Sequence, residues 1–364
     1  MTAVDRGEFV PDVVWPFDTE TDSYGSALDR KIDPARWEMA VSADIPLVTQ
    51  WDDGRHTDSE PGALASSSAS MPKAVGTMLE ALRAGPGMRV LDVGTGTGYT
   101  AARLAEIVGP DGFVTSVEVD AQLVGTARAN LARAGVENAE VVCADGFEGW
   151  PTSAPYDRTH VTCGIRTTSY AWARQSTAGG RIVLPWGTDF TPHDRLLTLI
   201  VDEAGTASGR FGVGLSFMKM RAQRLTPPDH AAYAPPGWME SGRDTDSDLE
   251  LSDVREIVDG DGSFVVGLRV PECVQVPAYG DDGSVTVWLY STRDRSVAVA
   301  AFGEETASNV VQAGARSLWT EVERARTWWV GNGRPRTERL GLTVDADGQR
   351  AWLDDPTAEA WPVH

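Results

Sequence analysis

The sequence predicts a doubly wound α/β protein of the Rossmann-like kind, a mostly parallel sheet wrapped by helices, followed by a smaller α+β region. Three observations carry that expectation. The run MRVLDVGTGTGY, Met88 to Tyr99, is a buried-strand pattern that ends in alternating glycines and passes straight into an amphipathic helix. From Met88 to Pro185, apolar runs of strand length alternate with helical segments, as in parallel strands joined by crossover helices. Beyond Arg224 the character changes at TPPDHAAYAPPG, a proline-rich joint that opens a second region.

Taken in order, residues 1–60 form a polar lead-in expected to pack on the cofactor-binding domain, with a short helix at Pro34 to Ala40. Trp51 to Ser70, WDDGRHTDSEPGALASSSAS, is nearly all loop formers, the composition of either a mobile lid or a solvated linker. A helix over Pro72 to Arg83 comes next, with Pro72 in its first turn and serine just upstream in position to cap it.

The glycine run is the organising feature. Val90, Leu91 and Val93 supply the apolar run of a strand covered on both faces. Gly94, Gly96 and Gly98 allow a tight turn and close approach to a ligand, since no Cβ blocks either. The helix from Tyr99 to Ile107 points its free N–H groups at the same place. Asp92, Thr95, Thr97 and Tyr99 complete the candidate cofactor contacts of this loop. A second strand, Phe113 to Glu118, ends in an acid twenty positions past Gly98, where such a crevice places a carboxylate on ribose hydroxyls; Val119 lies beside it. A third strand, Ala139 to Cys143, leads to Asp145 and Gly146, and an acid there can face an adenine amino group. The spacing G-x-G-x-G differs from the dinucleotide G-x-G-x-x-G, and the chain has no second phosphate loop, which favours S-adenosylmethionine over NAD.

Strands at Tyr156 to Thr162 and Arg181 to Pro185 flank a helix near Tyr170 to Gln175. Arg195 to Asp202 and Val213 to Met220, separated by EAGTASGR, read as an antiparallel hairpin and bring the mixed sheet to seven strands. The cofactor-binding domain is thus expected over 61–224, with an accessory α+β domain over 225–364. In the latter, strands are expected at Ser263 to Val270, Ser284 to Tyr290 and Val297 to Phe302, and a helix at Asn309 to Trp328. A final hairpin, Leu340 to Leu353, turns at Asp345 to Gly348. Trp319, Trp328, Trp329, Trp352 and Trp361 concentrate here, as core and rim residues or as a groove for a peptide.

Composition excludes several classes. The formal charge is -21 and Lys31, Lys73 and Lys219 are the only lysines, so no basic stripe is available for nucleic acid. The opening MTAVDRGEFV lacks the apolar centre of a signal peptide, and the longest aliphatic run, Leu196 to Val201, is too short to span a bilayer; a soluble cytoplasmic protein without a membrane partner is expected. Cys143, Cys163 and Cys273 are odd in number and widely spaced, which argues against a disulfide framework and a zinc site; two fall on predicted strands and are expected in the core. His56, His160, His193, His230 and His364 show no metal-ligand spacing, and neither a metal nor a catalytic histidine is expected. A monomer is the default.

Read together, SASMPKAVGTMLE, RVLDVGTGTGY, TSVEVD, VVCADGFEG, APYDRTHVT and AGGRIVLPWGT resemble the protein-L-isoaspartate O-methyltransferase family across about Val4 to Met220. Phe9-Val10-Pro11 and Asp44-Ile45-Pro46-Leu47 resemble two further elements of that family. The resemblance implies a class I S-adenosylmethionine-dependent methyltransferase fold, in which Ser70 contacts the substrate carboxylate with Ser68 as helper, and Glu118 and Asp145 hold ribose and adenine. Cys163-Gly164-Ile165-Arg166 departs from the family pattern, and Arg166 is placed to pair with a carboxylate. Trp51 to Ser67 looks like an insertion, and the region after Arg224 has no counterpart in the compact repair enzymes.

That last region resembles the branch associated with ribosomally made peptides, lanthipeptides and graspetides, through the Trp328-Trp329 pair, the Gly333-Arg334-Pro335 run and the GLTV…GQRAWLDDP ending. It implies esterification of an aspartate in a crosslinked ribosomal peptide, leading to aspartimide or isoaspartate. General isoaspartyl repair, or a non-catalytic cofactor-binding scaffold that presents a peptide, are the alternatives. A carboxylate of pKa about 4 is already ionised at neutral pH, so its attack on a sulfonium methyl needs no general base.

Overall fold

The computed structural model describes residues 4–303 and 309–363, and at its centre is one ten-stranded sheet. His364 lies outside the described residues. Five parallel strands form the heart of the sheet. Arg89–Val93 lies between Phe113–Glu118 and Tyr156–Val161, with Ala139–Cys143 outside the former and Ser176–Trp186 outside the latter. Alternate residues feed two cores: Leu91, Val93 and Val117 on one face, Val90, Val114 and Val183 on the other. The second core is closed by Met78 and Leu82 of helix Pro72–Leu82, Ala101 and Leu104 of Tyr99–Val108, and Val124 and Leu131 of Ala121–Arg133. Burial on both faces is why these strands read as unbroken apolar runs.

The hairpin is present as Asp194–Val201 and Ala207–Leu215, but its second strand begins earlier than expected. The turn is short: Asp202 Oδ1 accepts from the N–H groups of Ala204 and Thr206 at 2.9 and 2.8 Å, and Gly205 takes φ +81. Much of the polar stretch that reads as a connection is strand, because it is paired on both sides.

Its outer partner comes from the far end of the chain. Leu340–Asp345 pairs from Ala207↔Val344 to Arg210↔Gly341, and Gly348–Leu353 and Ala360–Pro362 extend the edge, so the sheet has ten strands where the sequence predicts seven. Phe264, Val265, Leu268 and Trp329 share a core with Trp186 and Phe211, so sheet and core both join the carboxyl-terminal region to the cofactor-binding unit. Between these strands the chain builds a separate five-stranded antiparallel sheet, Arg243–Thr245, Asn309–Ala313, Val297–Phe302, Val285–Ser291 and Cys273–Tyr279 in spatial order.

Two expectations in this region are corrected. Ser263 to Val270 is not a strand: Gly262–Arg269 is a helix with Gly262 to Leu268 all buried, and burial on every side erases the amphipathic period that would have marked it. Asn309 to Trp328 is not one helix: Asn309–Ala313 is a strand, and the helix Leu318–Gly331 begins only after Gly314 turns the chain at φ +98. Tucked among the helix and strands are Trp319 and Trp329, both buried.

The lead-in forms a third sheet from Val13–Asp18, Ser23–Tyr24, Leu28–Asp29, Leu47–Trp51 and Ala65–Ala69, with helix Pro34–Ser42 against it. The span Trp51 to Ser70 is therefore not all loop: its serine-rich end is a strand registered Leu47↔Ala69 and Val48↔Ser68, with Ser67 and Ala69 buried. Of the cysteines, Cys273 is buried, Cys163 partly so, and Cys143 is exposed at its strand's end rather than in the core. Among the described residues no helix is long and apolar enough to cross a membrane.

Candidate active site

The parallel strands end on a cavity of about 1020 Å³, lined on one side by Gly94 to Thr97, Tyr99, Glu118, Val119, Asp145 and Gly146. The glycine loop is held from beneath. Asp92 is wholly buried and does not line the cavity; its Oδ2 accepts from Ser116 Oγ at 2.7 Å and its Oδ1 lies 2.9 Å from His160 Nδ1, while Ser116 Oγ is 2.6 Å from Thr95 Oγ1. Asp92 is thus a support for the loop rather than a cofactor contact, and His160 escapes sequence reasoning because nothing local marks a strand histidine as its partner. Gly98 also lies off the cavity. At φ +90 it starts the helix, and a Cβ there would sit 3.3 Å from Ala127, so its role is helix packing. Gly94, at φ +92, would place a Cβ 2.9 Å from Thr162 Oγ1, and only glycine lets that wall close.

Glu118 is 8% exposed, and each carboxylate oxygen takes one backbone donor: Oε2 from Gly96 N–H at 3.0 Å, Oε1 from Asp120 N–H at 3.1 Å. Glu118 lines the cavity, and its carboxylate keeps further lone pairs that can accept from a vicinal diol. Asp145 begins a short helical turn, accepting from Phe147 N–H at 3.0 Å. Together these residues form a polar rim with a glycine-walled floor, which fits the nucleoside part of S-adenosylmethionine.

Ser66 to Ser70 and Met71 also line the cavity, with Ser67 Oγ 3.6 Å and the Ser68 carbonyl oxygen 3.9 Å from where a Cβ on Gly96 would be. Ser70 does not cap the following helix: Met71 holds that position without a side-chain bond, and Asp44 Oδ1 accepts from Lys73 N–H at 2.8 Å instead. The Ser70 hydroxyl is therefore available to a ligand. Its backbone is fixed by Arg6, which the sequence does not single out. This buried guanidinium donates to the carbonyls of Val41, Ala43, Ile45, Ala69 and Ser70 at 2.8 to 3.3 Å. Burial holds its pKa below the ordinary arginine value. No signal short of the fold could have found it, since its partners are carbonyls from two stretches far from it in sequence, 41–45 and 69–70.

The third wall joins the hairpin to the carboxyl-terminal region: Thr191, His193, Asp194, Arg195, Lys219 and Met220 meet Asp259, Gly260, Asp261, Ser263 and Phe264. Arg166, expected to face a carboxylate, is not among the lining residues; its Nε lies 2.6 Å from Asp189 and its Nη1 bonds to the Gln223 carbonyl. Lys219 is paired with buried Asp194. Burial pushes the Asp194 carboxyl up and the Lys219 ammonium down from their ordinary values. Cys163, between the cofactor side and this pair, has its thiol pushed up to about 12 by burial and by Glu118 and Asp92, so it stays protonated and unreactive.

A strap closes the cofactor side. Arg221 Nη2 donates to Asp120 Oδ2 at 2.6 Å and its Nε lies 3.0 Å from Asp53, whose carboxylate also receives Arg224 at 2.9 and 3.1 Å. Burial raises the Asp120 pKa, but the bonds from Arg221, Leu123, Gln50 and Gln122 outweigh it and leave the group below its usual value.

A family model for protein-L-isoaspartate(D-aspartate) O-methyltransferase matches residues 47–208. Protein-L-isoaspartate O-methyltransferase of Pyrococcus horikoshii is 38% identical over 165 residues, which are 45% of this chain and 74% of that protein. The Thermotoga maritima protein of the same name is 38% identical over 145 residues, 40% of this chain, and the match spans only 43% of its length. A solved protein-L-isoaspartate O-methyltransferase structure superposes with TM-score 0.53 at 23% identity, covering 96% of this chain and 92% of that one, so the fold likeness extends through the carboxyl-terminal region. By sequence and by fold, the chain belongs to the protein-L-isoaspartate O-methyltransferase family, a family of S-adenosylmethionine-dependent carboxyl methyltransferases.

Proposed function

We propose that this protein transfers a methyl group to an aspartyl-derived carboxylate of a peptide. The observation that carries the reading is a single cavity lined by Glu118, the glycine loop and Ser70, whose hydroxyl makes no hydrogen bond among the described residues. Bound against Glu118, Asp145 and the loop, S-adenosylmethionine supplies an electrophilic methyl group on a sulfonium. Ser70 orients the incoming carboxylate by donating a hydrogen bond to the oxygen that does not attack, with Ser68 close by on the same strand end. The walls exclude water from the carboxylate, which removes hydration that would otherwise shield the attacking lone pair. No proton has to move at any protein group. The ester that forms is neutral, and the following backbone amide can displace methanol from it to close a succinimide.

We further propose that the acceptor is an aspartate in a crosslinked ribosomal peptide, with aspartimide or isoaspartate as the outcome. Supporting this are Asp259, Gly260, Asp261, Ser263 and Phe264 of the carboxyl-terminal region, which line the same cavity. General isoaspartyl repair is the second reading, favoured by the fold likeness over nearly the whole chain to an enzyme of that name. Intact-mass spectrometry with S-adenosylmethionine and two substrates separates them. Methyl gain and then methanol loss on the crosslinked precursor alone supports the first; turnover of a generic isoaspartyl peptide with the precursor untouched supports repair.

A further inference from the structure

Four strong bases line the cavity: Arg195, Lys219, Arg221 and Arg224. Three of them are neutralised from within, Lys219 by Asp194, Arg221 by Asp53 and Asp120, and Arg224 by Asp53. Arg195 is different. Among the described residues it has no ion-pair partner, and its Nε is buried with no hydrogen-bond partner. Its guanidinium carbon lies 5.8 Å from the ring centre of Phe264, which itself lines the cavity from the carboxyl-terminal region. Arg195 stands at the start of the strand Asp194–Val201, opposite Gly214, whose missing side chain leaves the nearest guanidinium nitrogen 3.7 Å from where a Cβ would be. A cation held on an aromatic face, in ion-pair contact with none of the carboxylates that line the same cavity among the described residues, has donors to satisfy. The planar fork of arginine matches a carboxylate through two parallel hydrogen bonds.

We propose that Arg195 is the carboxylate-docking residue of the substrate side, receiving a carboxylate of the bound peptide on the guanidinium that Phe264 supports. The proposal rests on the carboxyl-methyltransferase reading and deepens it: Arg195 takes the place expected for Arg166, whose charge Asp189 already engages. The docked carboxylate is either the methyl acceptor itself or a neighbouring acidic group of the peptide. If it is the acceptor, esterification removes its charge and with it the attraction, which speeds product release.

Titration calorimetry on the protein saturated with S-adenosylhomocysteine tests this. The probes are an isoaspartyl hexapeptide carrying one flanking glutamate and a blocked carboxyl terminus, its twin with a carboxamide at the acceptor, and its twin with glutamine for glutamate. One carboxamide twin should bind about 10- to 100-fold more weakly than the parent, the range of a charge-assisted bond, and which twin does so names the docked group. Arg195→Met, which keeps the apolar contact with Phe264, should erase that preference while cofactor affinity stays unchanged; Arg195→Lys should restore part of it, as charge without the fork. Equal binding of all three peptides by the unsubstituted protein overturns the proposal while leaving the function intact. A preference that survives Arg195→Met overturns it as well. If none of the peptides binds, the subsite proposal is overturned, while the carboxyl-methyltransferase reading stands or falls separately on turnover of the crosslinked precursor.

Discussion

The cofactor side and the substrate side of one cavity are built in opposite ways. The cofactor side is assembled within about sixty residues of chain, from strand ends that the topology lays side by side: Gly94 to Thr97, then Glu118, then Asp145. The substrate side draws on four distant stretches: Ser70 fixed by Arg6, Arg195 from the hairpin, Lys219 from the segment after it, and Phe264 from the carboxyl-terminal region. Local construction makes a nucleoside site that many sequences can share, whereas long-range construction lets specificity change without disturbing it.

Substitutions should break the two sides separately. The largest effect is expected at Arg6→Met, which strips donors from five carbonyls at once; a loss of roughly 3–5 kcal/mol in unfolding free energy is predicted, measurable by denaturant titration. Next, Glu118→Ala removes the diol acceptor and leaves the Gly96 and Asp120 N–H groups unpaired, so S-adenosylhomocysteine affinity should fall about 100-fold by calorimetry. Ser70→Ala should leave that affinity alone and lower kcat/KM about 10- to 100-fold, the worth of one hydrogen bond to a charged group. An equal loss of cofactor affinity in Ser70→Ala would show that the two sides are not separable.

The smallest effect concerns the strap. Asp53→Asn weakens contacts that are partly exposed, so a stability change within about 1 kcal/mol is expected, with faster release of S-adenosylhomocysteine in stopped-flow displacement. The strap's pH dependence has a definite sign. Because the Asp120 pKa is depressed in the folded protein, its contribution is complete above the unfolded value of about 3.9 and is lost as pH falls through the lower folded value. Release rates should therefore be insensitive to Asp120 titration near neutrality and rise only in acid.

The same contrast explains what is legible in the sequence. The strand, glycine loop and helix around Met88 to Tyr99 announce themselves because period, turn chemistry and ligand all act within one βα unit, and Glu118 and Asp145 lie at the next two strand ends. Asp92 misleads for a related reason: it lies in the same motif, yet points into the sheet toward Ser116 and His160. The charges on the substrate side cannot be ranked without partners. Arg166 and Arg195 look alike in sequence, and only the fold shows that Asp189 engages one while the other has no ion-pair partner among the described residues. Further along, Gly262–Arg269 hides as a strand because a helix buried all round has no polar stripe, and the closing strands hide because the sheet edge they extend lies over a hundred residues upstream.

The most direct test of the central claim is the chemistry of the transferred methyl group. Incubated with S-adenosylmethionine labelled in its methyl group and a peptide bearing an aspartyl or isoaspartyl carboxylate, the protein should place label on the peptide, and mild alkali should release it as volatile methanol. Label that survives alkali on nitrogen or sulfur, or no transfer to any carboxylate peptide, would contradict the account.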